Sequence, residues 1–338
     1  SDVCKRASPK NNNFLFLMTN KKPIELRIIF MGTAVFAEKI LEAFIENKYN
    51  IVAVFTQPDR KSDRENEVKM NPVKKLSLAN KLSLFQPEKF DDAIVNEIKN
   101  LKPDIIILAA YGRILPEKIF QIPGFGGINV HASLLPELRG PSPIQNALLD
   151  GHKETGATII QMDAGVDTGD ILAQKKVEIE SGDNFETLSG KIAEAGVKLL
   201  LNTITVLLRG EITPKKQDNE KATLSQLIER GDGRIFWDEQ ASKIYNKFRA
   251  FYPWPGIFCF WKRNNQLIRI KLHKIRPYFK KIENKSKLGE VFAINDQIAV
   301  QAAKGVIILE QMQIEGKKAV PAIEFINGYP DFIGSILS

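Results

Sequence analysis

Residues Pro103 to Ala110 read PDIIILAA, an apolar run with no polar interruption after Asp104. A strand of this kind has no solvent face, so it belongs in a sheet covered on both sides. Leu26 to Met31 is a second apolar run, followed by Gly32-Thr33 and a helical spacing of Ile40, Leu41, Phe44 and Ile45. Asn50 to Phe55 and Gly127 to Val130 supply two more strands. Apolar strands alternating with helices predict a mostly parallel, Rossmann-like α/β sheet. Pro141 to Leu149 then predicts a helix with Ser142 and Pro143 near its start. Thr155 to Met162 and Ile171 to Ile179 predict paired strands. Phe185 to Leu208 predicts a long helix with apolar Leu188, Ile192, Val197, Leu200 and Ile204. The Gly32 turn lacks GxGxxG, which leaves a nicotinamide site with little support.

After this the pattern changes. Gly210 to Lys221 is polar, charged and broken by Pro214, as a linker would be. A short helix over Ala241 to Ala250 precedes five short alternating stretches: Phe258 to Trp261, Gln266 to His273, Gly289 to Phe292, Gln297 to Gln301 and Gly305 to Gln311. Five short strands with a terminal helical segment suit a small OB-like β-barrel, an architecture that binds nucleic acids on one face. The expected organisation is therefore a catalytic domain over 24–209, a linker over 210–222 and an OB-like domain over 223–338. Residues 1–23 are expected to lie outside the fold, with the Asn-rich stretch 1–17 as upstream sequence.

Charge is distributed unevenly between these parts. The formal net charge is +8, of which residues 211–338 hold +7, from 21 basic and 14 acidic side chains. Residues 261–288 alone hold ten Lys or Arg against the single acid Glu283. Such asymmetry suggests that the second part meets a polyanion, although a merely solvated basic face would look the same. Anionic membrane is a poorer fit, because the basic stretch alternates like a strand instead of repeating like an amphipathic helix. No apolar run approaches the ~20 residues of a membrane span. Only Cys4 and Cys259 occur, without CxxC or ligand-spaced His, which argues against a disulfide framework or zinc site and fits a reducing, cytoplasmic setting.

The chemistry concentrates in residues 127–170. In an extended segment Asn129 and His131 point the same way. An amide donor beside an imidazole suits oxyanion stabilisation and proton movement. Asp167 sits in the Gly-rich stretch Asp163-Ala164-Gly165-Val166-Asp167-Thr168-Gly169-Asp170, which can bring a carboxylate back to that imidazole. Spacing alone leaves a structural role for these residues equally open.

The strings NVHASLLPELRG and QMDAGVDTGD resemble the signature of the 10-formyltetrahydrofolate-dependent formyltransferases. LRIIFMGT at 26–33, VFTQPDR at 54–60, AAYGRILP at 109–116 and YNKFRAFYPWP at 245–255 are similar to the members that formylate methionyl-tRNA. The similarity runs over roughly residues 24 to 338. It implies the formyltransferase fold followed by an OB-like barrel, with Asn129, His131 and Asp167 as the catalytic set. It also implies 10-formyltetrahydrofolate as co-substrate, bound by Ser133, Leu134, Leu135 and Pro136 and by Arg113, Ile114 and Leu115. The acceptor would be initiator methionyl-tRNA, whose α-amino group attacks the formyl carbon to give a tetrahedral centre stabilised by Asn129 and His131. Asp167 would either favour the imidazolium or relay the amine proton. No metal is implied, and a monomer is expected.

For the tRNA, the resemblance implies a basic loop containing Arg60, Arg64 and Lys69 that enters the acceptor stem. Here Glu65 and Glu67 stand where glycine and lysine commonly occur in that loop. Basic strand residues including Arg263, Arg269 and Lys271 would meet the tRNA backbone and supply salt-sensitive affinity. Three alternatives remain at this stage: formylation of a small amine, hydrolysis of the formyl folate, and an RNA-binding protein with a vestigial catalytic half.

Overall fold

The computed structural model describes residues 21–61, 68–278 and 286–338, with the side chains of Arg60, Lys61 and Val68 left aside. In chain order the first elements are β1 (Ile28–Gly32), α1 (Val35–Glu46), β2 (Ile51–Phe55), β3 (Arg60–Lys61), β4 (Val68–Lys69), α2 (Pro72–Ala79), β5 (Leu84–Phe85), α3 (Asp92–Asn100), β6 (Ile105–Ala109), α4 (Glu117–Phe120) and β7 (Gly127–His131). There follow α5 (Pro143–Leu149), β8 (Glu154–Gln161), β9 (Ile171–Glu178) and α6 (Phe185–Leu208). The described residues form two compact units. One comprises the chain up to His131 with Ala157–Lys175 and Ala193–Asn219, and the other comprises Ala132–Gly156, Lys176–Ile192 and Glu220–Ser338.

The first unit is built on a mixed sheet of order β5-β2-β1-β6-β7-β8-β9. The five strands from β5 to β7 run parallel, and β8 returns antiparallel to β7. Every residue of β1 and β7 is buried, as is all of β6 except half-buried Leu108. Ile29, Met31 and Ile106 pack with Val95 and Ile98 of α3 and with Ile119 and Phe120 of α4. Phe30 turns the other way, its ring 6.5 Å from that of Phe44 on α1. Apolar runs without alternation thus follow from helices on both faces, and each fully buried isoleucine contributes roughly 1.5–3 kcal/mol.

Two helices between β2 and β6 are started by side-chain caps. Helix α2 starts at Asn71, whose side chain accepts from the Lys74 N–H at 2.9 Å, with Pro72 in the first turn. Helix α3 starts at Asp91, whose carboxylate accepts from Ile94 N–H at 3.2 Å. Past the ends of α1, α2 and α3, Lys48, Lys81 and Lys102 take the left-handed conformation usually left to glycine.

The second unit contains α7 (Ala241–Phe251) and a curled antiparallel sheet. Its strands are β10 (Ile257–Arg263), β11 (Gln266–Tyr278), β12 (Val291–Ile294), β13 (Gln297–Gln301), β14 (Val306–Ile314) and β15 (Val320–Pro321), followed by α8 (Ala322–Gly328). The order is β10-β11-β14-β13-β12, with β15 on β14, an OB-like half-barrel. Two hairpins turn on Asn264-Asn265 and Asn295-Asp296, all four at positive φ, as type I′ turns demand. β11 runs five residues beyond its sequence-predicted end through a bulge at His273. The tail Gly334–Ser338 bonds to both edges: Phe260 exchanges backbone hydrogen bonds with Ser338, and Val291 N–H donates to the Ser335 carbonyl. This tail covers the two edge strands that a half-barrel would otherwise expose. Inside, the Trp261 ring meets Phe332 edge-on at 5.1 Å.

Among the described residues no helix is long and apolar enough to cross a membrane. Cys259 on β10 is fully buried, and burial pushes its thiol up to about 12. The thiolate is the reactive form, so iodoacetamide at neutral pH should leave Cys259 unmodified in the folded protein. Peptide mass mapping should detect its alkylation only after unfolding. Rapid alkylation under native conditions would contradict the closed barrel interior.

Candidate active site

The site begins with the pleat of β7. Asn129 and His131 share one face, and Val130 takes the other. Val130 lies against Gly196 of α6, where an added Cβ would come within 3.2 Å of it. In register with β8, His131 lies opposite Thr158 and Asn129 opposite Ile160. Both polar side chains are buried, at 8% exposure for Asn129 and 5% for His131.

Asp167 completes the group. Asn129 Nδ2 donates to Asp167 Oδ1 at 3.1 Å, and His131 Nδ1 lies 3.4 Å from Asp167 Oδ2. The first distance is a hydrogen bond; the second is an ion-pair distance, slightly too long for one. One carboxylate therefore spans the amide and the ring. It directs one N–H of Asn129 and leaves Nε2 as the ring nitrogen remote from the acid.

The loop that presents Asp167 is held at several points. Asp163 Oδ1 accepts from the Gly165 N–H at 3.1 Å and from Thr168 Oγ1 at 2.7 Å, an Asx turn that folds the loop on itself. Asp167 itself sits at φ +54°, a left-handed conformation that aspartate tolerates better than most residues. Gly169 lies so close to Gln161 that an added Cβ would fall 1.7 Å from its carbonyl oxygen. The loop can therefore close only with glycine there. Gln217 Nε2 donates to the carbonyls of Asp167 at 2.8 Å and Gly169 at 2.7 Å. Gln217 falls within the polar 210–222 segment expected as a linker, where no task was expected of it. Its only sequence signal is a lone amide among Lys215, Lys216 and Asp218.

Arg113, Ile114 and Leu115 follow β6 in the first unit. The Arg113 guanidinium donates to the carbonyls of Pro87 at 2.9 Å and Glu88 at 2.6 Å, so its charge is spent on the main chain. Ile114 is 81% exposed beside buried Leu115 and Tyr111. Burial pushes the Tyr111 hydroxyl up to about 12, against a smaller opposing effect of Arg113. Just upstream, Thr33 Oγ1 and Gln57 Nε2 both donate to the Tyr111 carbonyl, at 3.0 and 2.7 Å. These bonds tie together the carboxyl ends of β1, β2 and β6.

Ser133, Leu134, Leu135 and Pro136 fall in the second unit. Ser133 and Leu135 are buried, and Ser133 Oγ donates to the Glu137 carbonyl at 2.6 Å. The Leu138 N–H donates to Thr223 Oγ1 at 2.8 Å, and Arg139 exchanges backbone bonds with Thr223 and Ser225. The turn is thus braced by an extended segment from the 220s.

The basic residues are dispersed. Arg64 lies outside the described residues. Arg60 pairs with Lys69 in the small β3–β4 ladder, and Lys69 is exposed. In the second unit Arg263 makes a bidentate pair with Asp331, at 2.6 and 2.9 Å, and lies over the Trp261 and Tyr329 rings. This holds the Asp331 carboxyl below its usual range. Arg269 stacks on Phe258 at 3.5 Å and lies 3.5 Å from Glu315. Lys271 is on β11 between them in sequence and Lys274, and Lys274 and Arg276 share Glu310, each at 2.9 Å. Much of the basic stretch is therefore already paired with acids.

Residues 26–204 match the family model described as formyl transferase, and residues 227–330 match that of its C-terminal domain. The chain is 43% identical over 317 residues to a methionyl-tRNA formyltransferase of Caldicellulosiruptor saccharolyticus, covering 92% of this chain and 99% of that protein. A methionyl-tRNA formyltransferase of Thermodesulfovibrio yellowstonii is 41% identical over 302 residues, covering 89% and 95%. Among solved structures, HypX of Aquifex aeolicus in complex with tetrahydrofolic acid aligns with a TM-score of 0.61 at 17% identity, over 91% of this chain and 48% of that one. An N-formyltransferase of Helicobacter canadensis with folinic acid and dTDP-3-aminofucose aligns at 0.61 and 21%, over 84% and 98%. At those identities the structures bear on the fold alone. The full-length likeness is decisive: the chain belongs to the formyltransferase family, where it groups with the methionyl-tRNA formyltransferases.

Proposed function

We propose that the protein transfers a formyl group from 10-formyltetrahydrofolate to the α-amino group of initiator methionyl-tRNA. What supports this reading most is the convergence of Asn129, His131 and Asp167 at the end of β7, in a chain that matches methionyl-tRNA formyltransferases over about 90% of its length. In the same reading the catalytic domain spans 24–209 and the tRNA-binding domain 223–338, and the enzyme works as a cytoplasmic monomer.

The residues after β6 fit a flat heterocycle. Exposed Ile114 offers an apolar contact, and with Arg113 committed elsewhere the remaining groups are main-chain ones. Ser133, Leu134, Leu135 and Pro136 would add an apolar wall and further backbone groups. Bound formyl folate supplies the one-carbon unit. An α-amino group titrates near ~7.7–8.0, and esterification lowers this, so much of the acceptor is already the neutral nucleophile at pH 7.

As that amine attacks, Asn129 directs its second N–H to the formyl oxygen while negative charge builds there. Protonated His131 adds a charge-assisted donor. Asp167 orients both groups and takes up the proton that the amine loses. A proton passes on to the nitrogen that departs with the folate, which closes the balance. Lys69, Arg60, Arg64, Arg263, Arg269 and Lys271 would meet tRNA phosphates.

The test supplies 10-formyltetrahydrofolate and charged initiator tRNA and measures formyl incorporation. Formate release without transfer would instead mean hydrolysis. His131→Ala and Asn129→Ala should each lower turnover by about 10²–10³, the usual effect of removing an oxyanion donor. Circular dichroism should show the fold intact, and turnover within about threefold of the parent would exclude the mechanism.

Asp331→Asn should release Arg263 while the Trp261 and Tyr329 rings keep it in place. The affinity for tRNA should rise about two- to tenfold at low salt, with the gain fading as salt increases. Unchanged binding in a filter-retention titration would mean that Arg263 does not face the tRNA.

A further inference from the structure

We infer that Gln217 is the positioning residue for Asp167, an inference that rests on the catalytic reading of Asp167 above. Lys215 and Ile171 exchange backbone hydrogen bonds in both directions, at 2.9 and 2.8 Å. Continued by one antiparallel step, that register sets Gln217 opposite Gly169. The main-chain ladder does not continue here. The Gln217 side chain replaces it, with Nε2 donating to Gly169 O and, two residues further into the loop, to Asp167 O.

A primary amide has two N–H bonds at a fixed angle, so one Gln217 group fixes two carbonyls at once. Those carbonyls belong to the peptide planes that follow Asp167 and Gly169. Fixing the Asp167 carbonyl fixes its ψ, at a residue already held at φ +54°. Backbone ψ and φ set the direction of the Cα–Cβ bond, and hence where the carboxylate meets Asn129 and His131. The Asx turn from Asp163 braces the loop only as far as Gly165 and Thr168, and the bond from Gln161 N–H to Asp170 O braces it only beyond Gly169. Gln217 bonds the carbonyls of Asp167 and Gly169 themselves, and so acts on the main chain of the catalytic residue. A residue of the polar segment after α6 thereby sets the geometry of a carboxylate fifty positions earlier.

The alternative is that Gln217 merely stabilises the loop. The two roles separate in a double-mutant cycle. Gln217→Met keeps the length and removes both donors. Gln217→Asn keeps the amide but is too short to reach both carbonyls, and it serves if the Met variant folds poorly. Each is made in the parent and in Asp167→Ala, with kcat and both KM values measured in single- and multiple-turnover assays of formyl transfer.

In the parent, kcat should fall about 10- to 100-fold for Gln217→Met, the scale expected of an ångström-level misplacement, with both KM values within about threefold. In the Asp167→Ala background the same change should have no further effect, because there is no carboxylate left to place. An equal loss in both backgrounds would make Gln217 a structural residue, and no loss in the parent would remove it from the mechanism. If Asp167→Ala itself kept turnover within about threefold, the catalytic reading of Asp167 would fail first. That outcome is distinct from a failure of the Gln217 clamp.

Discussion

The organising constraint is that β7 lies in the middle of a covered sheet and still carries two polar side chains. Its neighbours on both sides, β6 and β8, are buried almost throughout. A buried polar group without a partner costs about 1–3 kcal/mol, and an imidazole beside an amide leaves several donors to satisfy. Asp167 answers both with one carboxylate, by a hydrogen bond from Asn129 and at ion-pair distance from His131. The polar pair therefore requires a loop that folds back, and the loop requires its own turn chemistry. Asp163 caps it, Gly169 admits the close approach to Gln161, and Gln217 ties its far side.

Sheet order explains why the chemistry collects where it does. From β1 the chain proceeds outward through β2 to β5, then returns to the other side of β1 with β6 and β7. Parallel strands that change direction in this way leave a crevice at their carboxyl ends, between the loops that diverge. Thr33, Gln57 and the Tyr111 carbonyl occupy that crevice and bind one another. The exposed Ile114 follows immediately. Antiparallel β8 instead ends opposite Ile128, at the start of β7, and the Asp163–Asp170 loop folds back from there to bring Asp167 to Asn129 and His131.

Most of the fold could be read from periodicity because burial on two faces removes alternation and leaves long apolar runs. The barrel strands were legible as short apolar stretches between turn residues, although Ile298–Val300 of β13 and Val306–Leu309 of β14 are buried in succession and not alternately. What could not be read has local causes. Lysine stands in the left-handed positions after α1, α2 and α3, so the usual glycine stop is missing. β3, β4 and β5 have two residues each, too few to show any period. The closing of the barrel by Gly334–Ser338 depends on pairing with strands far away in sequence, which no local pattern reports. Asn129 and His131 stood out because polar residues in a buried strand need a reason. Gln217 did not, because a glutamine in a polar segment needs none; only its contact with Asp167 gives it meaning.

Charge shows the same gap between sequence and structure. Counted along the chain, residues 261–288 are strongly basic, yet Asp331, Glu315 and Glu310 come from sequence far beyond that stretch to meet Arg263, Arg269, Lys274 and Arg276. Exposed pairs of this kind add little stability, generally below about 1 kcal/mol. Their larger effect is on what the surface offers a polyanion. Affinity through counterion release grows with the number of phosphates neutralised, and a guanidinium already shared with a carboxylate neutralises less of an incoming one. Pairing also fixes direction: Arg263, held between Asp331 and two aromatic rings, presents its charge in one place, which a solvated lysine would not. The second unit thus trades raw basicity for placed cations.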